Sequence, residues 1–128
     1  MGMDLRNKHG QEFYFTTIGW AFYINLAILH YGWEAIGTVA PRNWDGDKSP
    51  WQGEYDWNAG QVVAAQDAIA FAIALNAYIA DPAREEKKAL LAKMFHEEAG
   101  ISVELDVDDR ELITAFIEFA LKGEFETW

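Results

Sequence analysis

The stretch Ala64-Ala65-Gln66-Asp67-Ala68-Ile69-Ala70-Phe71-Ala72-Ile73-Ala74-Leu75-Asn76-Ala77-Tyr78-Ile79-Ala80 decides the fold class. Much of its apolarity is alanine. Its apolar residues run almost all the way round the helix, so the expected place for it is the middle of a bundle. With Val62 and Val63 in front, it is also the one stretch with membrane-spanning length. Gln66, Asp67 and Asn76 interrupt it, and a mid-membrane aspartate costs about 2.5–3.5 kcal/mol, so a buried helix without a membrane is expected.

Downstream, Asp81-Pro82 ends this helix and starts another, with Asp81 as N-cap and Pro82 at the first helical position. The spacing predicts a helix over Ala83–Ala99, with Leu90, Leu91, Met94 and Phe95 inward and Gly100 as its stop. The period then changes to two: Ile101, Val103, Leu105 and Val107 alternate with Ser102, Glu104, Asp106 and Asp108. That predicts a half-buried strand over 101–107, with Gln11–Phe15 as its partner. Asp108 and Glu111 read as a variant capping box. The last helix is expected to bury Leu112, Ile113, Phe116, Ile117 and Ala120 and to end at Gly123.

Upstream, residues 36–57 are broken by Gly37, Pro41, Asn43, Gly46, Pro50 and Gly53, an irregular loop of unusual length. Before it, Thr16 or Thr17 caps a helix reaching Tyr31, with Ile18, Phe22, Leu26 and Leu29 as its stripe and Gly32 at its end. Gly2–Leu5 and Gln11–Phe15 flank turn formers and predict a hairpin. The expectation is a single domain over residues 1–128. Its fold class is mainly α (α+β): about four helices with a small antiparallel sheet of two or three strands.

Charge and aromatic residues are segregated. The chain has 128 residues, 21 Asp+Glu against 10 Lys+Arg, a net charge of −11 and no cysteine. Glu97–Trp128 holds 10 of the acids and only Arg110 and Lys122 as bases. Five of the six tryptophans precede Asn58. The acidity argues against nucleic acid, which needs a basic patch. The lack of cysteine excludes disulfides, thiol nucleophiles and thiolate metal sites. The opening residues lack a signal-peptide pattern, and Arg6 stands where myristoylation wants Ser or Thr, so a cytoplasmic location is expected.

No motif assigns a reaction, a metal or a cofactor. His30 and Glu34 are four apart on one helix face, but two ligands do not make a zinc site. His9 and His96 lack metal spacing. Asp45-Gly46-Asp47-Lys48-Ser49 opens like a calcium loop, yet Pro50 takes the glycine position and Asp56 replaces the closing glutamate. A looser divalent site using Asp45 and Asp47 stays open. Asp106, Asp108 and Asp109 crowd together as paired carboxylates do in acid–base sites, but a solvated edge and a helix-dipole complement explain them. Asp67, in the most apolar helix, needs a partner: nearby backbone amides, His30 or Arg42. Trp44, Asp45, Asp47, Trp51, Glu54, Tyr55, Asp56 and Trp57 interleave rings with carboxylates, which suits a mini-core, a protein interface or a cage for a cationic or sugar-like ligand.

Three short motifs carry a resemblance: the opening Met1-Gly2-Met3-Asp4, the Asn58-x-Gly60 turn leading to Asp67-Ala68, and the closing Lys122-Gly123-Glu124-Phe125-Glu126-Thr127-Trp128. The chain resembles a scattered family of small bacterial and phage-borne proteins of unknown function that begin with the same four residues and end in a helix and a Gly-Phe-Glu-like tail. The resemblance implies a bacterial or mobile-element origin and an accessory or host-interaction role. Some members carry a Cys-x-x-Cys insertion; this chain has no cysteine, so no metal role carries over.

The leading expectation is a non-enzymatic acidic module, of the kind that includes inhibitors and nucleic-acid mimics. It would bind a basic protein through the acidic surface of Glu104, Asp106, Asp109 and Glu118, or through the tryptophan loop. The alternative is a small-ligand binder, with a pocket between Trp44, Asp45, Asp47, Trp51, Tyr55 and Trp57 and the helix bearing His30 and Glu34. An enzyme of unidentified class ranks third. A homodimer through an exposed apolar helix face is also open.

Overall fold

The computed structural model describes residues 2–35, 45–46, 55, 60–103 and 108–128. Asn7 makes the first turn. Its side-chain oxygen accepts from the backbone N–H groups of His9 and Gln11, both at 3.0 Å. This closes a hairpin of β1 (Gly2–Asn7) and β2 (Glu12–Thr16), paired with Met3 opposite Phe15 and Leu5 opposite Phe13. Met3, Leu5 and Asn7 point inward while Asp4 and Arg6 face water, the period of two that one buried sheet face demands.

Two further strands complete the sheet. They are β3 (Gln61–Val63) and β4 (Phe125–Thr127), in the antiparallel order β2-β1-β4-β3. Among the described residues the sheet thus has four strands rather than two or three. Residues 101–103 are irregular and 104–107 lie outside the described residues, so the strand expected over 101–107 is not among the described strands. Among the described strands β2 pairs with β1, and the C-terminal tail supplies the strand that joins the hairpin to β3. The tail is held at both sides: Gly60 N–H donates to the Thr127 carbonyl at 2.8 Å, and Trp128 N–H donates to the Asp4 carbonyl at 2.7 Å. Gly60 has φ +92, with the Trp128 indole lying against it.

Among the described residues there are four helices, α1 (Thr17–Tyr31), α2 (Ala65–Ala80), α3 (Arg84–Ala99) and α4 (Arg110–Ala120), and the class is mixed α+β. Thr16 caps α1 by accepting from Gly19 N–H at 3.0 Å, and Gly32 ends it at φ 71. Asp81 accepts from Ala83 N–H at 2.8 Å, but the N-cap residue of α3 is Ala83, so Asp81 and Pro82 shape the turn before the helix instead of taking the N-cap and first helical positions. Asp108 accepts from Arg110 N–H at 3.1 Å rather than forming a box with Glu111, and Asp109 is the N-cap residue.

The buried faces differ from the expected stripes. In α1 they are Trp20, Phe22, Tyr23, Leu26 and Ala27, while Ile18 and Leu29 face water. In α3, Lys88, Leu91 and Ala92 are buried and Leu90 and Met94 are exposed. In α4, Phe119 is inside and Leu112 outside. A helix apolar on several sides offers more hydrophobic surface than one contact face can cover. In α1 and α4 packing then selects large rings, Trp20, Phe22 and Tyr23 in one and Phe116 and Phe119 in the other. Phe116 shows this: its ring lies 5.1 Å from Phe15, 5.3 Å from Phe71, 5.5 Å from Phe13, 6.0 Å from Trp20 and 6.1 Å from Phe125. These edge-on contacts, each worth about 0.5–1.5 kcal/mol beyond the area buried, tie α4 to the sheet, α1 and α2. No helix among the described residues is long and apolar enough to cross a membrane.

Candidate functional site

The site begins where α1 stops. The left-handed Gly32 turns the chain back, and Trp33 lands on α2, stacked on Phe71 at 4.2 Å and on Tyr55 at 5.8 Å. The Trp33 indole N–H donates to the Asp67 carbonyl at 3.1 Å. The Tyr55 hydroxyl donates to the Asp67 carboxylate at 2.6 Å, and the Trp20 indole N–H donates to the Tyr55 carbonyl at 2.6 Å. Asp67 sits in the first turn of α2, where a carboxylate complements the helix dipole, and is only 2% exposed. Tyr55 is thus one partner of Asp67; the Arg42 expected as a candidate partner lies outside the described residues.

This junction leaves an open cleft of about 500 Å³ between the end of α1 and α2. Glu34 and Asp67 both line it, together with Gln66 and the apolar Ala70, Ile73 and Ala77; no lysine, arginine or histidine does so among the described residues. Across Ile73 lies a second groove of about 250 Å³, lined by Asn76, Ile117 and Leu121. Ile73 borders both and is 63% exposed. The solvent side of α2 comprises Ala65, Gln66, Ile69, Ile73, Asn76, Ala77 and Ala80, none of them charged. α2 is thus not enclosed on every side, as its all-round apolarity suggested.

A second polar centre pins α4 to the other helices. Asp109 is 4% exposed and accepts from the Tyr23 hydroxyl at 2.5 Å and the Tyr78 hydroxyl at 2.7 Å. Lys88 Nζ lies 3.5 Å and Arg84 Nη1 3.4 Å from the same carboxyl group. Burial, followed by the bonds to Asp109, pushes the Tyr23 and Tyr78 hydroxyls well above the usual phenol range. Beside it, Lys87 and the Tyr31 hydroxyl bond Asp81 at 2.5 and 2.9 Å. Lys87, then the Ala83 N–H, hold the Asp81 carboxyl down to about 2.

The residues singled out from sequence fall into three groups. Trp44, Asp47, Trp51, Trp57, Glu104 and Asp106 lie outside the described residues. Asp45 and Glu118 are exposed. The remaining four meet the interior or the cleft. Tyr55 is buried under Trp33 and serves the core. His30 is half-buried in the last turn of α1, and Glu34 lies past Gly32, so the two do not share a helix face. Glu34 reaches the cleft wall with Asp67 instead. Asp109 does not belong to an acidic partner surface, because it is buried under two tyrosines and two cations. Sequence reasoning missed Lys88, although its spacing from Leu91, Ala92 and Phe95 places it on the inward stripe of α3. It also missed the exposure of Ile73, for which α2 itself carries no local signal. No group of three or more His, Asp or Glu residues suited to a metal ion occurs among the described residues. No family model matches the chain, and no curated protein or solved structure matches it.

Proposed function

We propose that the protein is a non-enzymatic interaction module that docks a basic partner protein on the solvent side of α2. One observation carries this reading: Ile73, 63% exposed, stands between two grooves on a helix face without charge, in a chain of net charge −11. Exposed aliphatic side chains rimmed by polar ones are typical of contact surfaces. The net negative charge of the chain favours encounter with basic molecules, while the uncharged centre of the face allows close contact without stripping water from ions. Two copies of so acidic a chain repel each other, so a basic partner fits better than a homodimer. The resemblance of the terminal motifs to bacterial and phage-borne proteins fits an accessory protein of this kind.

Affinity capture from a bacterial lysate at low salt tests the reading. Wild type and Leu90→Glu, altered at a comparably exposed site on α3, are expected to recover the same basic protein and to release it as salt rises. Ile73→Glu is expected to lose it. Undiminished capture by Ile73→Glu would contradict the reading. The cleft supports a second reading, binding of a small ligand, checked by a thermal-shift screen with cations, sugars and nucleotides; a screen without one stabilising compound would count against it.

A further inference from the structure

We propose that the outer edge of β2 takes up an extended, basic segment of a partner protein as a further strand, with one apolar side chain seated between β2 and α4. This surface is separate from the solvent side of α2. Among the described strands β2 stands at the end of the order β2-β1-β4-β3. Asn7 N–H donates to the Gln11 carbonyl at 3.1 Å, so Asn7 and Gln11 form a hydrogen-bonded pair. The alternation of an antiparallel ladder makes Leu5–Phe13 and Met3–Phe15 the next two. The Asp4 carbonyl accepts from Trp128 N–H, which agrees: the even positions of β1 face away from β2. Phe13 and Phe15 therefore direct their backbone groups at β1, while those of Glu12 and Tyr14 point outward. Among the described residues none bonds them. Such a row of alternate donors and acceptors matches another extended backbone. Natural edges are blunted by lysine, proline or a bulge. The outward positions Glu12, Tyr14 and Thr16 have neither of those residues, and the register runs without a bulge. The Tyr14 ring lies across Gly2 of β1, turned away from the edge.

A hollow of about 350 Å³ lies beside this edge, between β2 and α4, with Phe13, Ala115 and Phe119 as its apolar lining. In a strand added to β2, the side chain opposite Phe13 lies on the same face as Phe13, toward α4, and so enters the hollow. Its two neighbours send their side chains to the other face and, in the antiparallel sense of this sheet, their backbone groups to Glu12 and Tyr14. In strand addition the main-chain bonds give affinity and a pocket selects the alternate side chain; here the open ladder and the pocket fall at matching positions. Charge sets the remaining positions. Glu118 lines the hollow, and a second one of about 330 Å³ shares Ala115 and Glu118 with it and adds Glu111. Arg6 faces Glu12 at 3.4 Å, and Asp108 holds Arg110 at 2.7 Å, which leaves Glu111 and Glu118 against Lys122 along α4. In a chain of net charge −11, the segment that fits carries lysine or arginine two positions from its apolar residue, on the α4 side.

The test uses the full chain, the peptide Thr-Lys-Thr-Leu-Thr-Lys-Thr, and amide hydrogen exchange read by NMR. In the free chain, Glu12 and Tyr14 are expected to exchange fast, and Phe13 and Phe15 slowly. Peptide at ten times its dissociation constant is expected to slow Glu12 and Tyr14 about tenfold. N-methylation of the two threonines beside the leucine is expected to remove the effect, and N-methylation of the leucine and lysines to leave it. Ala115→Trp, which fills the hollow from an exposed helix position, is expected to weaken binding about tenfold. Glutamate in place of both lysines is expected to weaken it about fivefold. Equal loss from both N-methylation patterns, or indifference to Ala115→Trp, would overturn the proposal, and equal binding of the glutamate peptide would overturn the basic character of the segment. Slow exchange at Glu12 and Tyr14 without peptide would overturn it too: if it grows with protein concentration, a second copy covers the edge, and if it does not, the chain covers its own. Absence of any peptide effect would overturn it outright.

Discussion

Replacing Asp109 by alanine removes one acceptor from two buried hydroxyls and the carboxylate faced by two cations. Tyr23 and Tyr78 bond it at 2.5 and 2.7 Å, and Lys88, itself 3% exposed, lies 3.5 Å away. Breaking a buried network of this kind by deleting its shared acceptor costs about 3–5 kcal/mol, because two buried hydroxyls lose their acceptor and the buried cations lose an anion. A domain of this size has about 5–15 kcal/mol in total, so Asp109→Ala is expected to consume a large part of the stability. Asp109→Asn, which keeps an acceptor oxygen for the tyrosines, is expected to be milder. The double substitution Lys88→Met with Asp109→Leu removes both charges together and is expected to cost less than the sum of the singles. Urea denaturation followed by far-ultraviolet circular dichroism and tryptophan fluorescence measures all of these variants. A loss below about 1 kcal/mol for Asp109→Ala, or a double variant at least as costly as the sum, would refute the claim that this network holds α4 to α1, α2 and α3.

Alkaline pH attacks the same centre from the other side. Tyr23 and Tyr78 keep their protons in the folded chain but release them near pH 10 when unfolded, so stability is full below that pH and falls above it. The expected slope is about 1.4 kcal/mol per pH unit for each of the two, read from urea midpoints between pH 9 and 12. Asp81 behaves oppositely: its folded carboxyl titrates at about 2, so its contribution is complete above the usual carboxylate value and disappears as pH falls through that of the folded state. Asp81→Asn is therefore expected to flatten the acid limb of the stability profile. Gly60→Ala puts a side chain at φ +92 and brings its Cβ within 2.9 Å of the Trp128 ring. The expected loss is about 1–2 kcal/mol from the backbone, with Trp128 fluorescence shifting as the ring gives way.

The legible parts of the fold were those that signal locally. Thr16 with its i+3 amide, Gly32, and the alternation of β1 mark their elements within a few residues. Strands β3 and β4 have three residues each, too few to display a period, and pair only because the chain's end returns to its beginning. The faces of α1 and α2 were illegible for another reason: apolar residues surround both helices, so which side is covered depends on where Phe71 and Phe116 meet the sheet. Asp109 stands among acids in the sequence and reads as surface, yet Tyr23, 86 positions earlier, draws it inside. Glu34 and Asp67 each drew attention separately. Their meeting in one cleft depends on Trp33 folding back after Gly32, a consequence of tertiary packing.

A photo-reactive benzoylphenylalanine placed at position 73 reports whether the solvent side of α2 is the contact surface. In lysate at low salt, irradiation is expected to join position 73 to one basic protein, to lose that product as salt rises, and to give none from the same group at position 90. Equal products from both positions, or a product from position 90 alone, would contradict the account.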